Sequence, residues 1–211
     1  GGDGDDWLDI WGTGSLDGGG GNDALSGQLD SCTLVGGDGD DWLGTRGTGS
    51  LDGGRGNDTL SCGLDSCTLV GGDGNDTASF RSASAGIVVD LTSGAVTGAS
   101  GSGNATLSGI EVLDGSDYND SLSGHDHNNF IRGEGGDDTV GGGAGDDTLW
   151  GGTGNDSLVG YAGNDLDRQS GTGALPLAEF RLLGRVLRTQ GDVSANRTVS
   201  QEGGKLCART R

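Results

Sequence analysis

A single apolar residue recurs at every eighth or ninth position along residues 1–79, and glycines and polar residues fill the intervals. The pattern resumes at residue 115 with a regular spacing of nine. Each interval fits one short strand and one turn, with one side chain facing inward. The pattern therefore predicts an all-β solenoid of short, stacked strands. The inward positions are Leu8, Leu16, Leu25, Leu34, Leu43, Leu51, Leu60, Leu69, Ala78, Leu122, Ile131, Val140, Leu149 and Leu158.

The intervals carry a nine-residue unit, Gly-Gly-x-Gly-x-Asp-x-apolar-x. Glycine at positions one, two and four permits backbone conformations closed to other residues, so the loop can turn its carbonyls inward beside the Asp of position six. Carbonyl and carboxylate oxygens together are the ligands that Ca²⁺ selects. Full copies open at Gly1, Gly18, Gly36, Gly53, Gly71, Gly142 and Gly151, and near copies open at Gly115, Gly133 and Gly160.

The first block, residues 1–79, begins with a tandem duplication of 35 residues. Its consensus loops are spaced 17 or 18 residues apart, which is two nonapeptides. If two nonapeptides make one coil, these loops stack on one edge of the solenoid. The degenerate units, such as residues 27–35, then lie on the opposite edge. We expect the first block to bind calcium along one edge only.

Residues 80–114 interrupt this rhythm. The run from Gly86 to Leu91 reads as a strand, and a region rich in Gly, Ser and Ala follows it. We expect an extra hairpin or an irregular coil that connects two blocks, because the β-branched cluster needs burial. A flexible linker is the alternative.

The second block, residues 115–165, places consensus loops on both edges, with those at 115, 133 and 151 on one edge and those at 124, 142 and 160 on the other. The loop at 124 is damaged by His127 and Asn129. At 160, Tyr161 and Asp167 break the consensus, so we expect the roll to fray there.

The remaining residues, 166–211, form a basic tail. Residues 175–188 predict a helix with Pro176 in its first turn and arginines on one side. Such a helix either caps the apolar end of the solenoid or contacts a membrane surface or a partner.

Composition narrows the function classes. The chain has 49 glycines, only 30% hydrophobic residues and a single proline, which excludes collagen. Its net charge of −20 disfavours nucleic acid and anionic lipid and favours a cation as partner. No apolar run is long enough for a transmembrane segment. Because the chain lacks Met and opens on the first residue of a repeat, we expect it to be a segment of a longer protein.

The metal should be structural. One nonapeptide buries a single apolar side chain, while stacked carboxylates about 4.8 Å apart repel one another. Without metal, the chain falls in the low-hydrophobicity, high-charge class that stays disordered. Loop pairs 1/18, 18/36, 36/53, 53/71, 115/133, 133/151 and 142/160 give about seven Ca²⁺ sites. We expect calcium binding to drive folding.

The many copies in register resemble the RTX (repeats-in-toxin, hemolysin-type) calcium-binding proteins. The resemblance implies a right-handed parallel β-roll, export by a type I secretion machinery and folding outside the cell or at its surface. It also implies carboxylate ligands at position six and carbonyl ligands from the loop glycines. The implied carboxylates are Asp6, Asp23, Asp41, Asp58, Asp76, Asp120, Asp138, Asp147, Asp156 and Asp165. The implied carbonyls belong to Gly2, Gly4, Gly19, Gly21, Gly37, Gly39, Gly54, Gly56, Gly72, Gly74, Gly143, Gly145, Gly152 and Gly154.

No catalytic constellation is predicted within this segment. His125 and His127 lack the spacing of a zinc protease site, and the glycine loops lack the Lys-Ser/Thr of a phosphate-binding loop. Three contexts stay open. The segment is a folding or display module of a secreted protein, the accessory region of a secreted protease, lipase or epimerase, or part of an adhesin or surface layer that binds glycans. Trp7 and Trp42, on an outer face, could contact sugar rings or simply pack at the surface.

Four cysteines are unusual for this family. Cys32 and Cys67 occupy equivalent positions two coils apart, about 9.6 Å from the rung spacing, which exceeds the reach of a disulfide. A bond between Cys62 and Cys67 is conceivable.

Overall fold

The computed structural model describes residues 1–28, 31–62, 66–98, 104–168, 197–202 and 205–210, and these residues form strands and turns without a helix. Up to residue 168, the strands build two sheets, a first sheet of 11 strands and a second sheet of nine. The chain alternates between them, so one strand of each sheet and the turns that join them make one coil. The predicted all-β, parallel β-roll is confirmed.

The coils of the first block stack in strict parallel register. Gly2 pairs with Gly19, and Gly19 pairs with Gly37, so one coil spans 17 or 18 residues, as two nonapeptides require. The strands are β1 Gly2–Asp3, β2 Trp7–Ile10, β3 Gly14–Gly20, β4 Ala24–Gly27, β5 Cys32–Asp38, β6 Trp42–Thr45, β7 Gly49–Arg55, β8 Thr59–Cys62, β9 Cys67–Asp73 and β10 Thr77–Ser79.

A narrow apolar core runs between the two sheets. Each strand contributes one inward side chain, and Leu34, Leu43, Leu51 and Leu60 are fully buried. Leu8 and Leu16 are only half-buried, because both belong to the first coil, which has a neighbouring coil on one side. The other predicted inward positions are buried.

The segment between β10 and β14 (Val112–Asp114) adds strands to the first sheet only. Its strands are β11 Ile87–Asp90, β12 Ala95–Gly98 and β13 Asn104–Ser108. Strand β12 runs antiparallel to both β11 and β13, whereas β13 runs parallel to β9. An antiparallel hairpin is thus inserted into an otherwise parallel sheet.

The second block resumes the parallel coils. Its strands are β14 Val112–Asp114, β15 Ser121–Ser123, β16 Phe130–Arg132, β17 Thr139–Ala144, β18 Thr148–Trp150, β19 Ser157–Ala162 and β20 Leu166–Arg168. In the first sheet, β11 pairs with β15; in the second sheet, β10 pairs directly with β14. The second sheet is therefore continuous across the two blocks. We expected fraying near Tyr161, but β19 and β20 continue both sheets to Arg168, even though Asp167 takes an inward position.

A cluster of charged residues, here called the junction cluster, lies where the blocks meet. It comprises Arg81, Asp114, Arg132 and Glu134. Nε of Arg81 lies 3.2 Å from Oδ2 of Asp114, Arg132 also pairs with Asp114, and Arg81 reaches Glu134. Because Asp114 is buried, these arginines supply the counter-charge that its carboxylate needs.

Two further strands, β21 Arg197–Glu202 and β22 Lys205–Thr210, pair antiparallel. The helix expected over residues 175–188 lies outside the described residues. Within the described ranges, no helix is long and apolar enough to cross a membrane.

Candidate metal-binding edges

The consensus loops form the turns at the two edges of the roll. In the first block, the loop Gly18–Asp23 joins β3 to β4, so this loop and its equivalents stack on one edge. At this first edge lie the loops that open at residues 1, 18, 36, 53, 71, 124, 142 and 160. At the second edge lie the loops that open at residues 115, 133 and 151.

Close stacking of these loops requires glycine. Gly19 and Gly21, at positions two and four, have φ of +107° and +118°, a region that side-chain-bearing residues rarely adopt. A Cβ on Gly21 would also lie 2.6 Å from the carbonyl oxygen of Gly4 in the preceding coil. Both the torsion and the spacing between coils therefore select glycine.

The aspartates at position six link each coil to the next. The backbone N–H of Asp23 donates to Oδ1 of Asp41 at 2.7 Å, and that of Asp41 donates to Oδ1 of Asp58 at 2.8 Å. The predicted carboxylates thus form a column along each edge. The same bond joins Asp6 to Asp23, Asp58 to Asp76, Asp120 to Asp138, Asp138 to Asp156, and Asp147 to Asp165.

The other carboxylate oxygen, Oδ2, is left without a partner in most of these loops. It is buried and accepts no hydrogen bond from any described residue in six of the aspartates. A buried, unsatisfied carboxylate oxygen is costly, so this atom marks a place where a cation would stabilise the fold. The six are Asp23, Asp41, Asp58, Asp76, Asp138 and Asp147.

Oxygens from both coils face the space beside Oδ2. A Cβ on Gly18 would clash with Oδ2 of Asp23 and would lie 2.6 Å from the carbonyl oxygen of Gly36, in the next coil. The carbonyl of position one thus points toward the preceding coil, whereas the carbonyls of positions two and four point toward the following coil. For example, the carbonyl oxygen of Gly2 faces Gly19. Carboxylate and carbonyl oxygens therefore converge between coils, and this all-oxygen donor set fits Ca²⁺.

Burial alters the acidity of these carboxyl groups. Burial, with smaller contributions from neighbouring aspartates, raises the pKa of Asp138 to about 7 and that of Asp58 to about 6. Burial likewise raises the pKa of Asp147 to about 6, with Asp165 adding to the effect. The ionised carboxylates are thus unfavourable without a counter-charge.

Protein side chains do not supply that counter-charge in the first block. Between described residues, no Lys or Arg forms an ion pair with Asp23, Asp41, Asp58 or Asp76. Nor do three His, Cys, Asp or Glu side chains converge anywhere in the described ranges. A cation here would need backbone carbonyls as well as carboxylates.

Comparison with known families agrees with this geometry. A family model described as the RTX calcium-binding nonapeptide repeat, in four copies, matches residues 43–78, 105–140 and 141–166. The chain contains RTX calcium-binding repeats. Its β-roll is a calcium-binding structural module. A comparison with curated proteins found no match.

Two RTX loops are closed, in the sense that the residue at position two donates a hydrogen bond to the side chain at position six of the same loop. In the loop at 115, the backbone N–H of Ser116 donates to Oδ2 of Asp120 at 2.6 Å, and the Ser116 hydroxyl donates to Oδ1 at 2.8 Å. In the loop at 124, the N–H of His125 donates to Oδ1 of Asn129 at 2.9 Å. These side-chain oxygens are already occupied, so both loops are less suited to a metal.

The torsion at position two explains this difference. Neither Ser116 nor His125 has a positive φ, whereas Glu134, also a non-glycine at position two, keeps φ at 74°. In the loop of Glu134, Oδ2 of Asp138 accepts no hydrogen bond from the described residues. A positive φ at position two therefore turns the N–H away and leaves the carboxylate open.

One residue of this edge was not predicted. Glu111 lies opposite Asp76 and its Oε2 accepts the Asp76 N–H at 2.9 Å, the bond that an Asp accepts elsewhere. Glu111 reaches this position through the parallel register of β10 with β14, and the nonapeptide period in the sequence does not reveal that register.

The remaining candidates lie away from the carboxylate columns. Trp7 and Trp42 are exposed on the outer face of the second sheet, with 79% and 44% of their surface accessible. His125 and His127 contact each other edge to face at the first edge. Cys62 and Cys67 are buried thiols.

Proposed function

We propose that this RTX β-roll is a calcium-dependent folding module, with Ca²⁺ bound between stacked loops at both edges. The observation that carries the proposal is the column of buried Oδ2 atoms, which lie beside a carbonyl of the next coil in Asp23, Asp41, Asp58, Asp76 and Asp138. Each ion would take the position-six aspartate together with carbonyls of the loop glycines. The loop pairs 1/18, 18/36, 36/53, 53/71, 133/151 and 142/160 support this arrangement, and 115/133 is the weakest of the seven pairs.

Calcium binding would act as folding energy. The oxygens of one site belong to two coils, so the site exists only when the coils are stacked. Metal that binds the folded chain alone shifts the equilibrium toward it by mass action. The module would stay unfolded where calcium is scarce and fold where calcium is abundant.

This switch suits a secreted protein. We infer an extracellular or cell-surface location and passage through a type I secretion machinery before folding. The module would serve as the folding region of a secreted protein, including an enzyme such as a protease, lipase or epimerase whose catalytic domain lies elsewhere. The proposal also divides the chain at residues 79/80, 114/115 and 165/166 into the first block, the connecting segment, the second block and the basic tail.

A second candidate is an adhesin or surface-layer role with a glycan partner. The exposed Trp7 and Trp42 favour it, because they lie two strands apart on the same outer face. Glycan-array binding by the calcium-loaded protein, lost in Trp42→Ala, would support this role. An array without signal would refute it.

The main proposal is tested by a calcium titration followed by far-UV circular dichroism. We expect a disordered spectrum in EDTA and a cooperative gain of β-structure with calcium. Asp41→Asn should shift the calcium midpoint upward by about tenfold, since it removes a buried carboxylate shared by two coils. Asp40→Asn is the matched control, because it removes the same charge and other loops carry Asn at position five. A spectrum unaffected by calcium would refute the proposal.

A further inference from the structure

A carboxylate pair outside the repeat consensus lies on the rung that joins the blocks. Asp76 is position six of the loop at Gly71, and the register of β10 with β14 brings Glu111 opposite it. The Asp76 N–H donates to Oε2 of Glu111 at 2.9 Å. Glu111 thus takes the place that the next aspartate takes in a consensus column.

The space beside this pair has the features of a consensus site. Oδ2 of Asp76 is buried and accepts no hydrogen bond from the described residues. A Cβ on Gly71 would lie 2.6 Å from this oxygen and would clash with the carbonyl oxygen of Gly109. That carbonyl stands where a position-one carbonyl stands in the other loops. The carbonyl oxygen of Gly72 also faces Gly109, 3.4 Å from its Cβ position.

No protein cation neutralises the pair. Between described residues, neither Asp76 nor Glu111 forms an ion pair, and Arg81 and Arg132 pair with other carboxylates in the junction cluster. The buried carboxylate of Asp76 and the half-buried carboxylate of Glu111 lie on adjacent coils of one edge, so they repel each other unless a cation lies between them.

We propose that Asp76 and Glu111, with the carbonyl of Gly109, hold a Ca²⁺ ion that completes the column of the first block. The inference rests on the proposed function, since it extends the same column by one ion. Only three residues lie between Leu107 and Glu111, whereas six lie between Leu69 and Asp76, the residues opposite them in the preceding coil. The longer side chain of glutamate suits this shorter turn. The ion ties the first block to the connecting hairpin.

The neighbouring rung provides an internal comparison. Asn129 occupies position six of the loop at 124, but its amide oxygen already accepts the N–H of His125. Its side chain is also neutral. That rung therefore offers no equivalent of the open oxygen of Asp76, and no ion is assigned to it.

The test counts bound ions by native mass spectrometry in calcium. Glu111→Gln should bind one Ca²⁺ fewer than the wild type. Asp73→Asn should bind the same number as the wild type, because Asp73 lies in the same loop, carries the same charge and is exposed at position three. An unchanged ion count in folded Glu111→Gln overturns this site alone, whereas a wild-type chain that binds no calcium overturns the proposed function as well.

If Glu111→Gln does not fold, a crystal structure of the wild type grown with calcium decides the matter. We expect density about 2.3–2.6 Å from Oδ2 of Asp76 and from the Glu111 carboxylate. Ions in the consensus loop pairs but none at this position would overturn the site.

Discussion

The repeat loops of the first block and the junction cluster bury acidic side chains in the same stacked coils, but within the described part of the chain only the junction cluster pairs its buried carboxylate with arginines. At the junction, Arg81 and Arg132 lie against the buried carboxylate of Asp114. In the loops of the first block, buried aspartates such as Asp41 and Asp58 have no such partner among the described residues. The buried carboxylates of a coil are thus either paired with arginine or available to bind a metal ion.

The difference teaches where calcium dependence should reside. Arg81 and Arg132 are two of only four arginines in residues 1–166, a region without lysine. The junction also holds Phe80, the largest fully buried side chain among the described residues, and the inserted hairpin adds further apolar core. The junction should therefore hold its structure best when calcium is removed, and the first block should hold it least.

Calcium removal should have the largest effect, and an uneven one. Hydrogen exchange in EDTA should show fast amides in β3 to β9, because their carboxylate columns repel. The amides of β10, β14 and β16, beside the junction cluster, should stay more protected. Exchange followed by mass spectrometry, with and without calcium, measures both. Equal loss of protection across all strands would remove the distinction between the two regions.

Acid should weaken calcium binding in the loops. The pKa of Asp138 is raised to about 7 and that of Asp58 to about 6, chiefly by burial. A carboxyl group whose pKa is raised by folding stabilises the metal-free fold at low pH, where the group is protonated. This stabilisation is lost as pH rises through about 6–7. Calcium needs the ionised form, so its affinity follows the opposite trend.

The calcium midpoint at pH 5.5 should therefore exceed that at pH 7.5 by about tenfold or more. Titrations followed by circular dichroism at both pH values measure this shift. Equal midpoints would mean that these aspartates do not coordinate the ion. The junction cluster is held by arginine ion pairs and not by calcium, so its protection against exchange serves as the control.

The spacing of apolar residues was enough to predict the coils, because each inward leucine must be buried whether the neighbouring loop is open or closed. Leu43 and Leu60 stack as the period requires. The open or closed state of a loop could not be predicted in the same way. It depends on the torsion at position two, where Ser116 closes the loop and Glu134 does not. Glu111 escaped prediction because strand register, set by a non-repetitive segment, brings it to the edge.

Removal of a junction arginine should cost an intermediate amount of stability. Arg132→Ala leaves the buried Asp114 with one arginine in place of two, and should lower the free energy of unfolding by about 1.5–3 kcal/mol. Arg55→Ala is the matched control. Its ion pair with Asp38 is exposed on both sides, so its loss should cost about 0–1 kcal/mol. Urea unfolding in saturating calcium compares the two, and equal losses would contradict the role of the junction.

Opening one closed loop should produce the smallest effect and the sharpest test of the torsion argument. Ser116→Gly removes the hydrogen bond of the hydroxyl to Asp120 and permits a positive φ at position two. A positive φ would turn the backbone N–H away from Oδ2 of Asp120 and free that oxygen for metal. Ser116→Ala removes the hydroxyl but keeps the torsion restricted. Calorimetry should show a few-fold gain in calcium affinity for the glycine variant and a smaller change for alanine. Because both variants lose the same hydroxyl, an equal gain would assign the effect to that group and not to the backbone.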